Sequence, residues 1–144
     1  MLTAEIAQYI EDQTLGTFDA TGITGNIFLE TLPDAEKQGS AIYIALYSTG
    51  GYQSGGKLAY DDPTVQIIVR GGLNPLLAWS KAQSIYNLLH GFSQGQFMAG
   101  GQWIVNCQGM QSGPINLGPD ENRQHRFSLN FHLHVQNLDS VERE

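Results

Sequence analysis

RFSLNFHLHVQ, residues 126–136, alternates apolar and polar side chains along its whole length. The apolar members are Phe127, Leu129, Phe131, Leu133 and Val135. The polar members are Arg126, Ser128, Asn130, His132, His134 and Gln136. Because successive side chains of a β-strand point to opposite faces, this period of two predicts a strand with one face on the core and a second, polar face.

Apolar runs upstream of this segment predict four further strands. They cover residues 26–30, 41–47, 64–70 and 102–110. The run AIYIALY at 41–47 is apolar throughout, which is typical of a central strand covered on both faces.

Two helices are predicted. Residues 2–14 have apolar positions at helical spacing, with Thr3 as the expected N-cap. The second helix follows the capping residue Asn74, has Pro75 in its first turn and ends before Gly91, which suits a left-handed position. Its predicted apolar face comprises Leu76, Leu77, Trp79, Ile85, Tyr86, Leu88 and Leu89.

The segments between these elements are polar or rich in glycine. Residues 33–40, 48–63, 91–101 and 111–123 are predicted to be loops or turns. The order of elements predicts an α/β protein of the α+β type: a single mixed, mostly antiparallel sheet with a main helix and an N-terminal helix packed on it. We expect one domain over residues 1–137 and a charged, frayed tail over 138–144.

Composition limits the classes of function. The chain has 144 residues, of which 15% are charged, and 7 basic against 14 acidic residues give a net charge of −7. No basic cluster is available for phosphates, which excludes nucleic acids and anionic membranes as main partners. A single cysteine excludes an intrachain disulfide, and the start MLTAEIAQYIED lacks the basic segment of a signal peptide. We therefore expect a soluble, intracellular protein.

GYQSGGK, residues 51–57, has the spacing G-x-x-x-x-G-K of a phosphate-binding loop and follows a predicted strand. That motif needs Ser or Thr next, to hold magnesium, and a helix whose N-terminus meets the phosphates. Here Leu58 comes next, and AYDDP follows it, which is not helical. A flexible hairpin or arm is therefore favoured over a nucleotide site.

Metal-binding and catalytic sites are also disfavoured. His132 and His134 share one strand face and could chelate zinc, but the sequence supplies no third ligand beside them. Cys107 lacks local catalytic partners and is predicted to be a buried structural thiol. The acid pairs at 61–62 and 120–121 are predicted to be solvated turn residues. We expect no catalytic residues, no metal and no cofactor.

Contact surfaces are what the sequence does offer. The uncharged segments at 48–62 and 91–101 are rich in Gly, Tyr and Gln, and tyrosine buries a large area with little loss of entropy. Mobile loops without partners are the alternative for these segments. The residues predicted to contact another subunit or a tube are Tyr52, Gln53, Lys57, Tyr60, Arg126, His132 and His134.

Six segments, in order from about residue 2 to 137, carry a resemblance to a known family. They are LTAEIAQYIEDQTLG, ETLPD at 30–34, AIYIALYSTGG, PTVQIIVRGG at 63–72, WSKAQSIYNLLHG and GPINLGPDENRQHRFSLNFHLHV. The last is the most specific, with an acidic turn, an arginine and F-S-L-N-F on a strand. In this order the chain resembles the tail terminator proteins of long-tailed bacteriophages, which are also described as minor capsid proteins.

The resemblance implies a mixed sheet with helices, no enzymatic activity and no cofactor. It implies a homo-oligomeric ring, usually hexameric, that caps the head-proximal end of the virion's tail tube, stops its polymerisation and offers a joining surface. The implied partners are copies of the chain, the tail tube protein and head–tail connector or neck proteins. Genomic DNA would only pass through the lumen, assembly would occur in the host cytoplasm, and no membrane is involved. Another neck completion protein and, less favoured, a small nucleotide-binding domain are the alternatives.

Overall fold

The computed structural model describes residues 2–16, 18, 25–31, 42–50, 60–71, 74–119 and 124–136. Within these ranges the helices are α1 (Leu2–Asp12) and α2 (Pro75–Leu89). The strands are β1 (Ile27–Leu29), β2 (Ile42–Ser48), β3 (Tyr60–Asp61), β4 (Thr64–Gly71), β5 (Ser93–Gln96), β6 (Trp103–Gly109), β7 (Ile115–Pro119) and β8 (His125–Gln136). Neither of the two described helices is long and apolar enough to cross a membrane.

The eight strands of the described ranges form one sheet in the order β1-β2-β4-β8-β6-β5, with β3 and β7 also paired to β8. The pairing of β1 with β2 is parallel and the other pairings are antiparallel. β2 is an interior strand, with Ile44, Ala45 and Leu46 all buried, but it lies only one strand from the edge. The predicted α+β fold, a single mixed and mostly antiparallel sheet, is confirmed.

The long strand β8 organises the sheet. β3 and β4 pair along one of its edges, and β6 and β7 pair along the other. The predicted alternation is confirmed, because Phe127, Leu129, Phe131, Leu133 and Val135 are all buried in the core. The polar residues between them line the opposite face, which neither helix covers and which we call the open face.

The ends of α2 lie where the sequence predicts them. Asn74 Oδ1 accepts a hydrogen bond from the N–H of Leu76 at 3.0 Å, and Pro75 is the first helical residue. Gly91 follows the helix with a φ of +85°, a conformation that glycine adopts without steric penalty. The capping chemistry therefore sets both boundaries of the main helix.

The predicted apolar face of α2 is wrong in part. The buried stripe is Ala78, Ala82, Ile85 and Leu89, whereas Leu76, Leu77 and Trp79 are exposed. Small alanine side chains allow the helix to approach β4 closely, and this turns the larger side chains of its first turns outward. The main helix therefore presents apolar surface to solvent in this chain.

α1 packs beside β1 and β2, on the same core as α2. Ile6 and Ile10 are buried there, as the helical spacing predicts. Thr3 lies within the first turn and is buried, so the prediction that it caps the helix is wrong. The carboxylate of Glu5 accepts a hydrogen bond from the N–H of Gln102 at 2.7 Å and so links α1 to the start of β6.

Three strands were not predicted. β3, β5 and β7 lie in the segments 48–63, 91–101 and 111–123, which the sequence predicts to be loops or turns. These strands are held by backbone pairing with β8 or β6 and lack an alternating apolar pattern. The predicted loop at 33–40 and the predicted tail at 138–144 lie outside the described residues.

Candidate functional site

The open face carries three of the predicted contact residues. Arg126, His132 and His134 are partly buried on β8, and their side chains alternate with those of the core. Tyr60 lies in β3, where its backbone pairs with Gln136 of β8. β3 and β8 therefore bring together residues that are far apart in sequence.

The other three predicted contact residues, Tyr52, Gln53 and Lys57, lie outside the described residues. The same holds for the whole segment GYQSGGK, whose spacing matches that of a phosphate-binding loop. Contact through these residues stays a prediction, as does contact through Arg126, His132, His134 and Tyr60.

Neighbouring strands add polar groups to the open face. Gln66 Nε2 of β4 donates a hydrogen bond to Ser128 Oγ of β8 at 3.0 Å. The Arg70 guanidinium of β4 lies 5.0 Å from the centre of the Tyr43 ring of β2, close enough for a cation–π contact. These contacts could not be predicted from the sequence, because only the pairing register of the strands shows which residues lie side by side on one face.

A cluster of three side chains marks the end of the open face near the start of β4. Asp62 Oδ1 lies 2.9 Å from His134 Nδ1 and 3.3 Å from His132 Nε2. One carboxylate oxygen can therefore accept hydrogen bonds from both imidazoles. The cluster holds the corner between β3 and β4 against β8, so the prediction that Asp62 is a merely solvated turn residue is wrong.

The charge state of Asp62 depends on these contacts. The hydrogen bond from His134, the largest influence, and that from His132 lower the pKa of the Asp62 carboxyl below 3.8, although partial burial raises it. Because the pKa is lower in the folded chain than in an unfolded one, the carboxylate stabilises the fold at pH values above about 3.8. That contribution is lost as the pH falls through the pKa of the folded chain.

We expect the substitution Asp62→Asn to lower the free energy of unfolding near neutral pH by no more than about 1 kcal/mol, because the pair is partly solvated. The difference from the unsubstituted chain should shrink as the pH falls from 3.8 through the lower pKa of the folded chain, below which the carboxylate is protonated in both states. Urea unfolding at several pH values measures this. The matched control is Asp12→Asn on α1, which removes a carboxylate that accepts, among the described residues, a helix-surface bond from Gln8. A difference that grows in acid would contradict the assignment.

The sequence offers three other candidate sites: a metal site, the thiol of Cys107 and the acid pair at 120–121. Among the described residues, no group of three or more His, Cys, Asp or Glu side chains is arranged to hold a metal ion. Cys107 is buried in β6, and burial raises the pKa of its thiol to about 12. The thiol is therefore protonated at neutral pH, and its predicted burial is confirmed. The acid pair at 120–121 lies outside the described residues.

The described residues define an α+β protein with both helices on one face of an open sheet and polar side chains on the other. The sequence model of the bacteriophage tail terminator protein family matches residues 9–137. The chain belongs to that family and is a structural protein of the phage tail. The resemblance found in the sequence is thereby confirmed.

The same architecture occurs in a solved virion structure. A chain of the virion of the native gene transfer agent particle is similar in fold, with a TM-score of 0.60 and 15% sequence identity. The match covers 94% of this chain and 95% of that one. At this identity the similarity shows the fold. No curated protein matches the chain.

Proposed function

We propose that this chain caps the head-proximal end of the tail tube as a ring of identical copies, stops tube polymerisation and offers the joining surface for the head connector. Membership of the tail terminator family supports this proposal. The structural observation that carries it is the one-sided sheet, with α1 and α2 on one face and polar groups on the other. A closed ring needs two different surfaces on each copy, and this architecture offers two.

Stopping growth needs a ring with two unlike sides. One side must match the end of the tube, and the other must reject a further ring of tube protein. The predicted contact residues on the open face, Arg126, His132 and His134, are proposed to take part in these contacts with a neighbouring subunit or with the tube. A net charge of −7 on each copy disfavours tight binding of DNA, so DNA would pass through the lumen without being held.

Electron microscopy of tails assembled without this chain tests the proposal. We expect tubes that are longer than normal and carry no heads, because nothing ends polymerisation or offers the joining surface. Adding the purified chain during assembly should restore tubes of normal length.

The same experiment distinguishes the proposed capping role from the alternative role of a neck completion protein. A neck completion protein acts after the tube is finished, so its loss would leave tubes of normal length without heads. Tubes of normal length in the absence of this chain would therefore overturn the capping role and favour the neck alternative.

A further inference from the structure

Charged residues are almost missing from one third of the chain. Residues 71–119 hold a single Asp, Glu, Lys or Arg, which is Lys81, and all 14 acidic residues of the chain lie outside this range. Lys81 is turned towards the residues that follow α1, where its Nζ donates a hydrogen bond to the carbonyl oxygen of Leu15 at 2.9 Å. We call residues 71–119, which include α2, β5, β6 and β7, the neutral segment.

The neutral segment is also where apolar surface is exposed. Every large apolar side chain that is exposed among the described residues lies between positions 76 and 117. Leu76, Leu77 and Trp79 are 63%, 51% and 42% exposed and form what we call the helix patch at the start of α2. Ile115 and Leu117 are 43% and 41% exposed and form the strand patch on β7. Exposed apolar side chains grouped in this way are typical of protein interfaces.

The two patches lie on different sides of the sheet. α2 covers the core face, because its Ala78 side chain lies against Gly71 of β4 and its Tyr86 ring lies 6.0 Å from that of Phe131. Ile115 is in register with Ser128, which faces the open side and bonds Gln66 there. Leu117 lies at the register shift between Asn116 and Gly118, so Ile115 is the residue that places the strand patch on the open side, opposite the helix patch.

Resting on the proposed ring, we propose that the helix patch of one copy packs against the strand patch of the next copy. The proposed ring makes a second copy the occupant, and charge selects the surface, because two copies that each carry −7 repel one another wherever their carboxylates meet. The residues of both patches come from a segment that has no carboxylate of its own. Two unlike patches on opposite sides give a head-to-tail contact, which closes into a ring when the rotation between copies allows it.

Single charges placed in each patch test this contact. Leu77→Asp disables the helix patch, and an acidic residue in the first turns of a helix is compatible with folding. Ile115→Asp disables the strand patch, and Gln13→Asp adds the same charge at an exposed site outside both patches. Sedimentation velocity over a range of concentrations measures self-association. We expect each patch variant to self-associate at least about 30-fold more weakly than the unsubstituted chain, and the control to match it.

Mixing the two patch variants gives the sharper result. The Leu77→Asp chain keeps its strand patch and the Ile115→Asp chain keeps its helix patch, so the mixture should form a one-to-one dimer that cannot grow. This dimer also shows that both variants are folded. A contact in which the helix patch meets itself predicts instead that Ile115→Asp alone associates normally, and that result would overturn the proposal.

The remaining outcomes are also decisive. If the unsubstituted chain stays monomeric at its highest soluble concentration, the proposed contact is wrong, and the tail-length experiment still decides the capping role. If both variants form rings normally, the contact between copies lies elsewhere while the ring itself stands. If they form rings but no longer bind tail tube protein, the patches face the tube, which likewise overturns the contact proposed here.

Discussion

Replacing Phe131 with alanine is expected to lower the free energy of unfolding by about 3–5 kcal/mol. Phe131 is 1% exposed and lies on β8, in register with Val65 on one side and Gly109 on the other. Its ring also packs near that of Tyr86 from α2. Close-packed neighbours on three elements cannot collapse fully into the vacated space, so the cavity adds to the lost burial of the ring.

Urea unfolding, with the midpoint and the slope fitted separately, measures this effect. Met98→Ala is the matched control, because it also shortens a large apolar side chain, but one that is 38% exposed. The control should change the free energy of unfolding by no more than about 0.5 kcal/mol. A loss of less than about 1 kcal/mol for Phe131→Ala would mean that β8 does not form the centre of the core.

The buried face of β8 could be predicted because the pattern of apolar residues in its sequence indicates which side chains face the core. A strand with one buried face must alternate, and residues 127–135 do so without interruption. The boundaries of α2 could be predicted for a similar reason. Asn74, Pro75 and Gly91 are each suited to a backbone position at a helix end, whatever the helix packs against.

The orientation of α2 could not be predicted from apolar residues alone. The helix contains more large apolar side chains than one face can bury, and size alone favoured Leu76 and Trp79. The close approach of the helix to the sheet determines which of its faces is buried. A Cβ added at Gly71 would lie only 3.1 Å from the Ala78 Cβ. Where helix and strand come this near, alanine takes the buried position and leucine is turned outward.

The short strands and the Asp62 cluster depend on tertiary structure. β5 reads SQGQ and β7 reads INLGP, and neither has a periodic pattern, because backbone pairing at the side of a longer strand holds them. Asp62 meets His132 and His134 because the pairing of β3 and β4 with β8 places it beside the last residues of that strand. Sequence reasoning weighed the two histidines and the acid separately, and only the register joins them.

The second large effect is expected at Gly109, at the end of β6. A Cβ there would overlap the Tyr86 ring at Cε2 and lie 3.1 Å from Cζ. The ring cannot move aside freely, because its hydroxyl donates a hydrogen bond to the carbonyl oxygen of Gln111 at 2.9 Å and its face stacks on His90. We therefore expect Gly109→Ala to lower the free energy of unfolding by about 1–3 kcal/mol, measured by urea unfolding.

A matched glycine and a double-mutant cycle separate this overlap from other effects of losing a glycine. Gly113→Ala should be close to neutral, because a Cβ there would meet only Gln83 Oε1 at an ordinary 3.6 Å. In a Tyr86→Ala background the obstructing ring is gone, so adding Gly109→Ala should destabilise the chain by at least about 1 kcal/mol less than it does alone. Additive effects would mean that the ring does not fill this space. The joint between α2 and β6 would then be looser than the structure shows, and the helix patch would not be held in a fixed position relative to β7.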